Sequence, residues 1–248
     1  RNGKKAQEAA RWFNFPKHSF EIMHLDLGSL ESVCRFAKEL KTTNRALHLL
    51  ICNAATDMPL LKQPYRSPEG YEISVAMNYL GHFLLCHLLI FNLNVAKVAR
   101  LIMLVTVKTN SEEFRGHAPT PALANLDNFE GLTAGFKSPL SIINGSPFKA
   151  GKACKHSKLG TMMMSRKFHT RYYSSTGNIF NTLYPGCLAD NESVIRRFYF
   201  KIILSGFKKN ITKEYVSQKV SGDRLAEIAT EVEFEQSGVH WSWGNSQK

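Results

Sequence analysis

The 248-residue sequence contains no CxxC pair, and its five cysteines (Cys34, Cys52, Cys86, Cys154, Cys187) are odd in number and irregularly spaced. That pattern supports neither a zinc site nor a disulfide framework, and it fits a reducing compartment. There is no internal repeat and no low-complexity tract, so repeat arrays and disorder are excluded. The longest apolar runs, around Leu84–Leu93 and Leu101–Val107, are too short to span a bilayer. The first residue is Arg1 rather than Met and no signal-like segment precedes the first periodic region, so the chain reads as a fragment or processed form.

Acidic residues are also scarce. Twenty Asp and Glu stand against 32 Lys and Arg, a formal net charge of +12 and a pI near 9.5. Such an excess favours an anionic partner, whether nucleotide phosphate, acidic lipid headgroup or nucleic acid. The basic residues are scattered (Lys4-Lys5, Arg196-Arg197, Lys208-Lys209), with no long run and no aromatic-interleaved patch. A solvated basic surface is therefore expected rather than a nucleic-acid groove. Hydrophobic residues make up 44%, enough for a full core in one large domain or two small ones.

What is present is alternation. Ser19–Leu27, Ala46–Cys52 (fully buried), Arg100–Val107, Asn178–Tyr184 and Gly238–Trp243 read as strands. Helical patterns follow Ser29, a plausible N-cap, and run from about Gly70 to Phe91, Lys152 to Tyr173 and Lys213 to Ala229. Residues 108–150 form a loop-rich insertion. The expected fold is α/β: a doubly wound, Rossmann-like parallel sheet flanked by helices, forming one incomplete domain over residues 1–248. Ligands of such sheets bind beyond the strands' carboxyl ends, which here carry Asp26, Asn53, Thr106 and Pro185-Gly186.

Four local features fit that position. Cys52-Asn53-Ala54-Ala55 resembles the small-residue turn of short-chain dehydrogenases/reductases, where small side chains let backbone approach a cofactor. Asn78 lies on the long helix, where that superfamily keeps an Asn of its catalytic relay; a buried Asn bonded to backbone is the other reading. Thr106 ends a strand where the superfamily has a Ser or Thr, and a Thr bonded to its own backbone is again the alternative. Lys158 follows Cys154 by four residues, so both lie on one helix face, as in the superfamily's Tyr-x-x-x-Lys.

Longer segments narrow the resemblance. FKAGKACKHSK, NTLYPGC, NITKEYVSQ and SGVHWSWGN, with MHLDLGSLESV and ICNAA…NYLGHFLL, together resemble the light-dependent protochlorophyllide oxidoreductases. The resemblance covers essentially the whole chain, including the insertion. It implies binding of NADPH and protochlorophyllide, with light driving hydride transfer to C17 of the pigment and protonation at C18. It further implies that Arg1 pairs with the ribose 2′-phosphate and Asp26 contacts adenine. Asn53, Ala54, Pro185 and Gly186 line the cofactor, and Lys158 holds the nicotinamide ribose. Cys187 lies at the pigment and could supply the C18 proton. The implied location is the plastid or thylakoid, or the cytoplasm of a cyanobacterium, and a homo-oligomer is compatible with it.

Three departures from the family stand out. The Gly-rich phosphate loop, the first strands and a further C-terminal segment are not in this sequence. Cys154 stands where the family has Tyr, and a thiol is too short to occupy the phenol's position. In 191–209, Phe198 and Phe207 remain, but Asn191, Ser193, Val194 and Ser205 replace Thr or larger apolar residues; this basic, amphipathic segment suits pigment cover or contact with anionic membrane lipid. Two other readings stay open: a dark-active NADPH-dependent short-chain reductase, and a non-catalytic pigment- or membrane-binding relative.

Overall fold

The structure is a computed structural model and describes residues 2–56, 61–105, 128–135, 143, 145–188 and 215–242, with backbone alone at 187, 188 and 215. In chain order its elements are α1 (Gly3–Trp12), α2 (Leu30–Thr42), β1 (Leu49–Cys52), α3 (Ile73–Val95), β2 (Arg100–Leu104), α4 (Glu130–Thr133), α5 (Ala150–Thr176), β3 (Ile179–Tyr184), β4 (Cys187–Leu188), β5 (Tyr215–Val216), α6 (Gln218–Thr230) and β6 (His240–Ser242). The chain divides into two compact units: residues 1–46, 55–92 and 125–157, and residues 47–54, 93–124 and 158–248.

The second unit holds a four-stranded, wholly parallel sheet in the order β1-β2-β3-β6, and a short parallel pair, β4-β5. The parallel pairing expected between the second and third predicted strands is present, Leu49–Cys52 lying against Arg100–Met103. All six residues of β3 are buried, as expected of a strand with neighbours on both sides. Helix α6 packs on this sheet through Ile228 against Ile102 and Leu183, with Leu225, Phe234 and Trp241 around them. The buried Arg100 guanidinium donates to the carbonyl of Ile228 in the last turn of α6 (2.7 Å) and to that of Glu231 just beyond it (2.9 Å), tying the helix end to the start of β2. Buried amides close the strand starts: Asn178 accepts from Ala99 N–H at 2.8 Å, and Asn181 accepts from Val239 N–H at 3.0 Å.

In the first unit, Ser29 caps α2 by accepting from Ser32 N–H, and the Glu69 carboxylate accepts from Leu30 N–H at 2.7 Å. The Asp26 carboxylate accepts from Gly28 N–H at 2.9 Å, forming an Asx turn that leads into the helix. Glu72, 1% exposed, caps α3 by accepting from Val75 N–H. A π-helical turn then occupies Ala76–Leu80, and Gly81 resumes α-helix. A Cβ at Gly81 would overlap the Leu27 carbonyl, so only glycine allows this approach.

Several sequence expectations need correction. Ser19–Leu27 is not a strand: it joins no ladder among the described residues, and Phe20 and Ile22 stay more than a third exposed. The second strand is shorter than Ala46–Cys52 and not fully buried. It is an edge strand among the described residues, which leaves Leu49 and Ile51 each 37% exposed. The long helix runs further than Phe91, with the unforeseen π turn inside it. As a whole, Ile73–Val95 is long and apolar enough to cross a membrane, but 67% of its most apolar window is buried in the protein. The last helix starts at Gln218 rather than Lys213, because Tyr215–Val216 pairs with Cys187–Leu188. Helix α1 was not expected at all, although Asn2 caps it by accepting from Lys5 N–H. Within 108–150 the described residues are 128–135, with the single turn α4, and 143 and 145–150; the rest of it, like 191–209 and Trp243, lies outside the described residues.

Two outcomes follow for stability. Gly81→Ala forces Cβ into backbone and should cost about 2 kcal/mol or more in chemical denaturation. Burial holds the Glu72 carboxyl above the usual range, against the Ser74 and Val75 N–H groups, the Ser74 hydroxyl and the Arg66 charge. A raised carboxyl favours the protonated folded form, so its contribution to stability is full below the unfolded pKa and lost as pH rises through the folded one. Between about pH 7 and about pH 5, the wild type should therefore gain stability relative to Glu72→Gln. Parallel pH–stability curves for the two proteins would contradict this.

Candidate active site

In the first unit, the π turn presents Asn78, which is 1% exposed. Such single π turns inside α-helices are frequent at functional sites. Its amide makes a two-point clamp on the backbone of Thr56. Oδ1 accepts from Thr56 N–H at 2.8 Å, and Nδ2 donates to the Thr56 carbonyl at 2.9 Å. Nδ2 also donates to Ser157 Oγ at 3.1 Å, and Ser157 Oγ donates to the Cys154 carbonyl at 2.6 Å. The half-buried Cys154 thiol lies 4.0 Å from the Thr56 carbonyl, a long sulfur contact. The Asn78 side chain is thus bound to backbone and to a serine. His82 Nδ1 lies 3.3 Å from the Asn78 carbonyl. A carbonyl only accepts, so that ring nitrogen carries the hydrogen.

In the second unit, the Lys158 ammonium, 7% exposed, donates to the carbonyl of Leu104, the last residue of β2, at 2.9 Å. Beyond β3, the Pro185 carbonyl accepts from Arg224 at 2.7 Å. Burial pulls the Arg224 guanidinium below the usual arginine range while Glu227 and Tyr184 oppose the shift; it remains a cation. Gly186 has φ +113°, and a side chain there would meet Val216 and Arg224. Asn53 and Ala54, directly after β1, are exposed. The carboxyl edge of the sheet therefore carries a buried ammonium, exposed small residues and a glycine whose backbone is closely packed.

The structure brings together, within the first unit, Asn78 and the helical turn bearing Cys154. Within the second it holds Lys158 at the end of β2 and ties Pro185 to α6. Asp26 lies in the first unit, where one carboxylate oxygen serves the Asx turn. Arg1 and Thr106 lie outside the described residues, as does the Cys187 side chain, whose backbone pairs with Tyr215. Sequence reasoning missed Thr56, Ser157 and Arg224. Ser157 was findable, since a serine three residues beyond Cys154 can bond back to its carbonyl. Nothing in the sequence marks Arg224 as the partner of a strand-end carbonyl. Among the described residues, no group of three or more His, Cys, Asp or Glu is arranged to hold a metal ion.

No protein-family model matches the chain. Curated relatives do. The chloroplastic protochlorophyllide reductase of Chlamydomonas reinhardtii is 39% identical over 98% of this chain and 61% of its own length. That of Daucus carota is 40% identical over 96% and 61%, and protochlorophyllide reductase A of Arabidopsis thaliana 38% over 98% and 60%. The chain spans about three fifths of the length of these relatives. Among solved structures, an NADPH-bound short-chain oxidoreductase from Pseudomonas aeruginosa with an atypical catalytic centre aligns over 100% of this chain and 84% of its own, at TM-score 0.66 and 13% identity. The RhlG/NADP active-site complex from the same organism aligns over 90% and 75%, at TM-score 0.60 and 15% identity. These structural matches establish the Rossmann-type fold. With that fold, and with identity of this extent along nearly all of its residues, the chain is similar to chloroplastic protochlorophyllide reductases, of whose length it spans three fifths.

Proposed function

We propose that the chain carries the nicotinamide and pigment sites of a light-driven, NADPH-dependent protochlorophyllide reductase that acts in chlorophyll biosynthesis in the chloroplast. The observation that carries this reading is the 38–40% identity to chloroplastic protochlorophyllide reductases over nearly the whole chain. The carboxyl edge of the sheet also suits an anionic dinucleotide. A buried cation at the end of β2, small exposed residues after β1 and a glycine after β3 are what close approach to such a ligand requires.

In this reading Lys158 holds the nicotinamide ribose, Asn53, Ala54, Pro185 and Gly186 lie along the cofactor, Asp26 meets adenine and Arg1 the 2′-phosphate. NADPH, when bound, supplies a hydride. The chain's own groups bind, orient and exclude water. The Leu104 carbonyl fixes the Lys158 ammonium. Asn78, through Ser157, fixes the turn of α5 that bears Cys154. Thr106 orients reacting groups. Cys154 cannot present a proton where a phenol would, so proton delivery falls to Cys187 or to water, and pigment orientation is loosened.

Illumination of the protein with NADPH and protochlorophyllide, followed by absorption, tests this. Chlorophyllide should form at low yield, and Cys154→Tyr should raise the yield by about 10²-fold or more, the usual worth of a positioned general acid. Equal yields from the two proteins at saturating pigment would contradict the role given to position 154. Turnover of a carbonyl substrate in the dark would favour an ordinary short-chain reductase, and pigment binding without turnover in either protein a non-catalytic relative.

A further inference from the structure

The turn after β3 is braced from two sides by α6 and the residues that lead into it. Pro185 has no N–H to give, and Gly186, at φ +113°, takes a conformation that residues with a side chain rarely adopt. The chain then enters β4, whose ladder partner Tyr215–Val216 runs directly into α6. Ser217 caps that helix by accepting from Val220 N–H at 3.2 Å. Backbone pairing therefore ties the far side of the turn to the start of α6.

The near side is tied to the same helix by a side chain. Arg224, in the second turn of α6, donates from its guanidinium to the Pro185 carbonyl at 2.7 Å. Hydrogen bonds from an ionised donor are stronger than neutral ones. A Cβ built on Gly186 would stand 3.0 Å from the same guanidinium nitrogen and 2.6 Å from a Val216 methyl, so arginine and valine lie directly against the glycine. Tyr184, the residue before the turn, and Glu227, one helical turn beyond Arg224, both act on the guanidinium's charge. Pro185 and Gly186 are buried, so the turn cannot shift without displacing these braces.

We propose that Arg224 is a positioning residue for the nicotinamide cofactor: by holding the Pro185 carbonyl and packing on Gly186, it fixes the backbone that the cofactor meets beyond β3. The inference rests on the reading that the carboxyl edge of the sheet receives NADPH. It adds a residue of α6, remote from the strand ends in sequence, to those that set cofactor affinity. Arg224 acts through the turn rather than on a reacting atom. A loosened turn samples conformations that do not bind, and affinity falls with the fraction of competent molecules.

The test uses the full chain and two readouts: NADPH affinity from nicotinamide fluorescence in the dark, and hydrogen–deuterium exchange of the peptide covering 185–188 without cofactor. Arg224→Met removes the donor and keeps most of the side chain's bulk. It should weaken NADPH binding about tenfold, the worth of a hydrogen bond from a charged group, and speed exchange at 185–188. Arg224→Lys keeps a charged donor and should recover part of both. Ile228→Val trims the packing of α6 on the sheet away from the turn; it should lower the melting temperature and leave NADPH affinity unchanged.

Binding of NADPH by Arg224→Met as tight as by the wild type would overturn the inference and leave the cofactor reading intact. Weaker binding with unchanged exchange at 185–188 would also overturn it, because Arg224 would then act on the cofactor by charge alone. So would an affinity loss in Ile228→Val equal to that in Arg224→Met, which would make Arg224 a residue of general stability. If Arg224→Met does not fold, Arg224→Lys decides by the same two readouts, a partial loss in both being the expected result. No NADPH binding by the wild type would overturn the cofactor reading and this inference together.

Discussion

Parallel pairing is the constraint on which the second unit depends. A parallel ladder sends every strand's carboxyl end to one edge and requires a crossover between successive strands. The register Ile102–Asn181 and Thr182–His240 aligns three strand ends, so Leu104, Pro185 and Ser242 follow one another along that edge. The cost of burying polar groups within β3 is met locally. Asn181 bonds to Gln236 and Val239, and Thr182 Oγ1 lies 2.9 Å from His240 Nδ1. Burial holds the His240 ring below the usual histidine range, which keeps it neutral beside that hydroxyl.

A different economy governs the first unit. There, single side chains satisfy backbone groups that regular structure leaves open. Asn78 does so for Thr56, Glu69 for the start of α2, and Glu72 for the start of α3. A buried backbone polar group without a partner costs about as much as a lost hydrogen bond, so these residues have little freedom to change. The π turn belongs to the same logic, because it shifts the helix register at the residue whose amide must reach Thr56.

Much of this was legible in the sequence where period and capping agree. Ser29 before an apolar helical repeat, the Ile179–Tyr184 strand and the long helix bearing Cys154 and Lys158 emerged with small boundary shifts. Ser19–Leu27 failed because alternation records a propensity for strand, whereas a strand exists only where a ladder partner is present. The π turn and the extent of α3 failed because an all-round apolar helix has no face from which to read its register. Of the candidate site, Asn53 could be named from its place after a strand, Asn78 from its place on the long helix and Lys158 from its spacing after Cys154 on one helix face. Their hydrogen-bond partners could not, since Leu104 and Thr56 take part through backbone, which side-chain patterns do not encode.

The central proposal is that the carboxyl edge of the parallel sheet receives the nicotinamide cofactor beside Lys158, whose ammonium is anchored there by the Leu104 carbonyl. Hydrogen–deuterium exchange of the protein with and without NADPH tests it most directly, because it reads the backbone at that edge without requiring turnover or pigment. Slowed exchange should appear in peptides covering 53–56 and 185–188 and should be largely lost in Lys158→Ala. Unchanged exchange in those peptides at saturating NADPH, or protection confined to α1 and α2, would contradict the account.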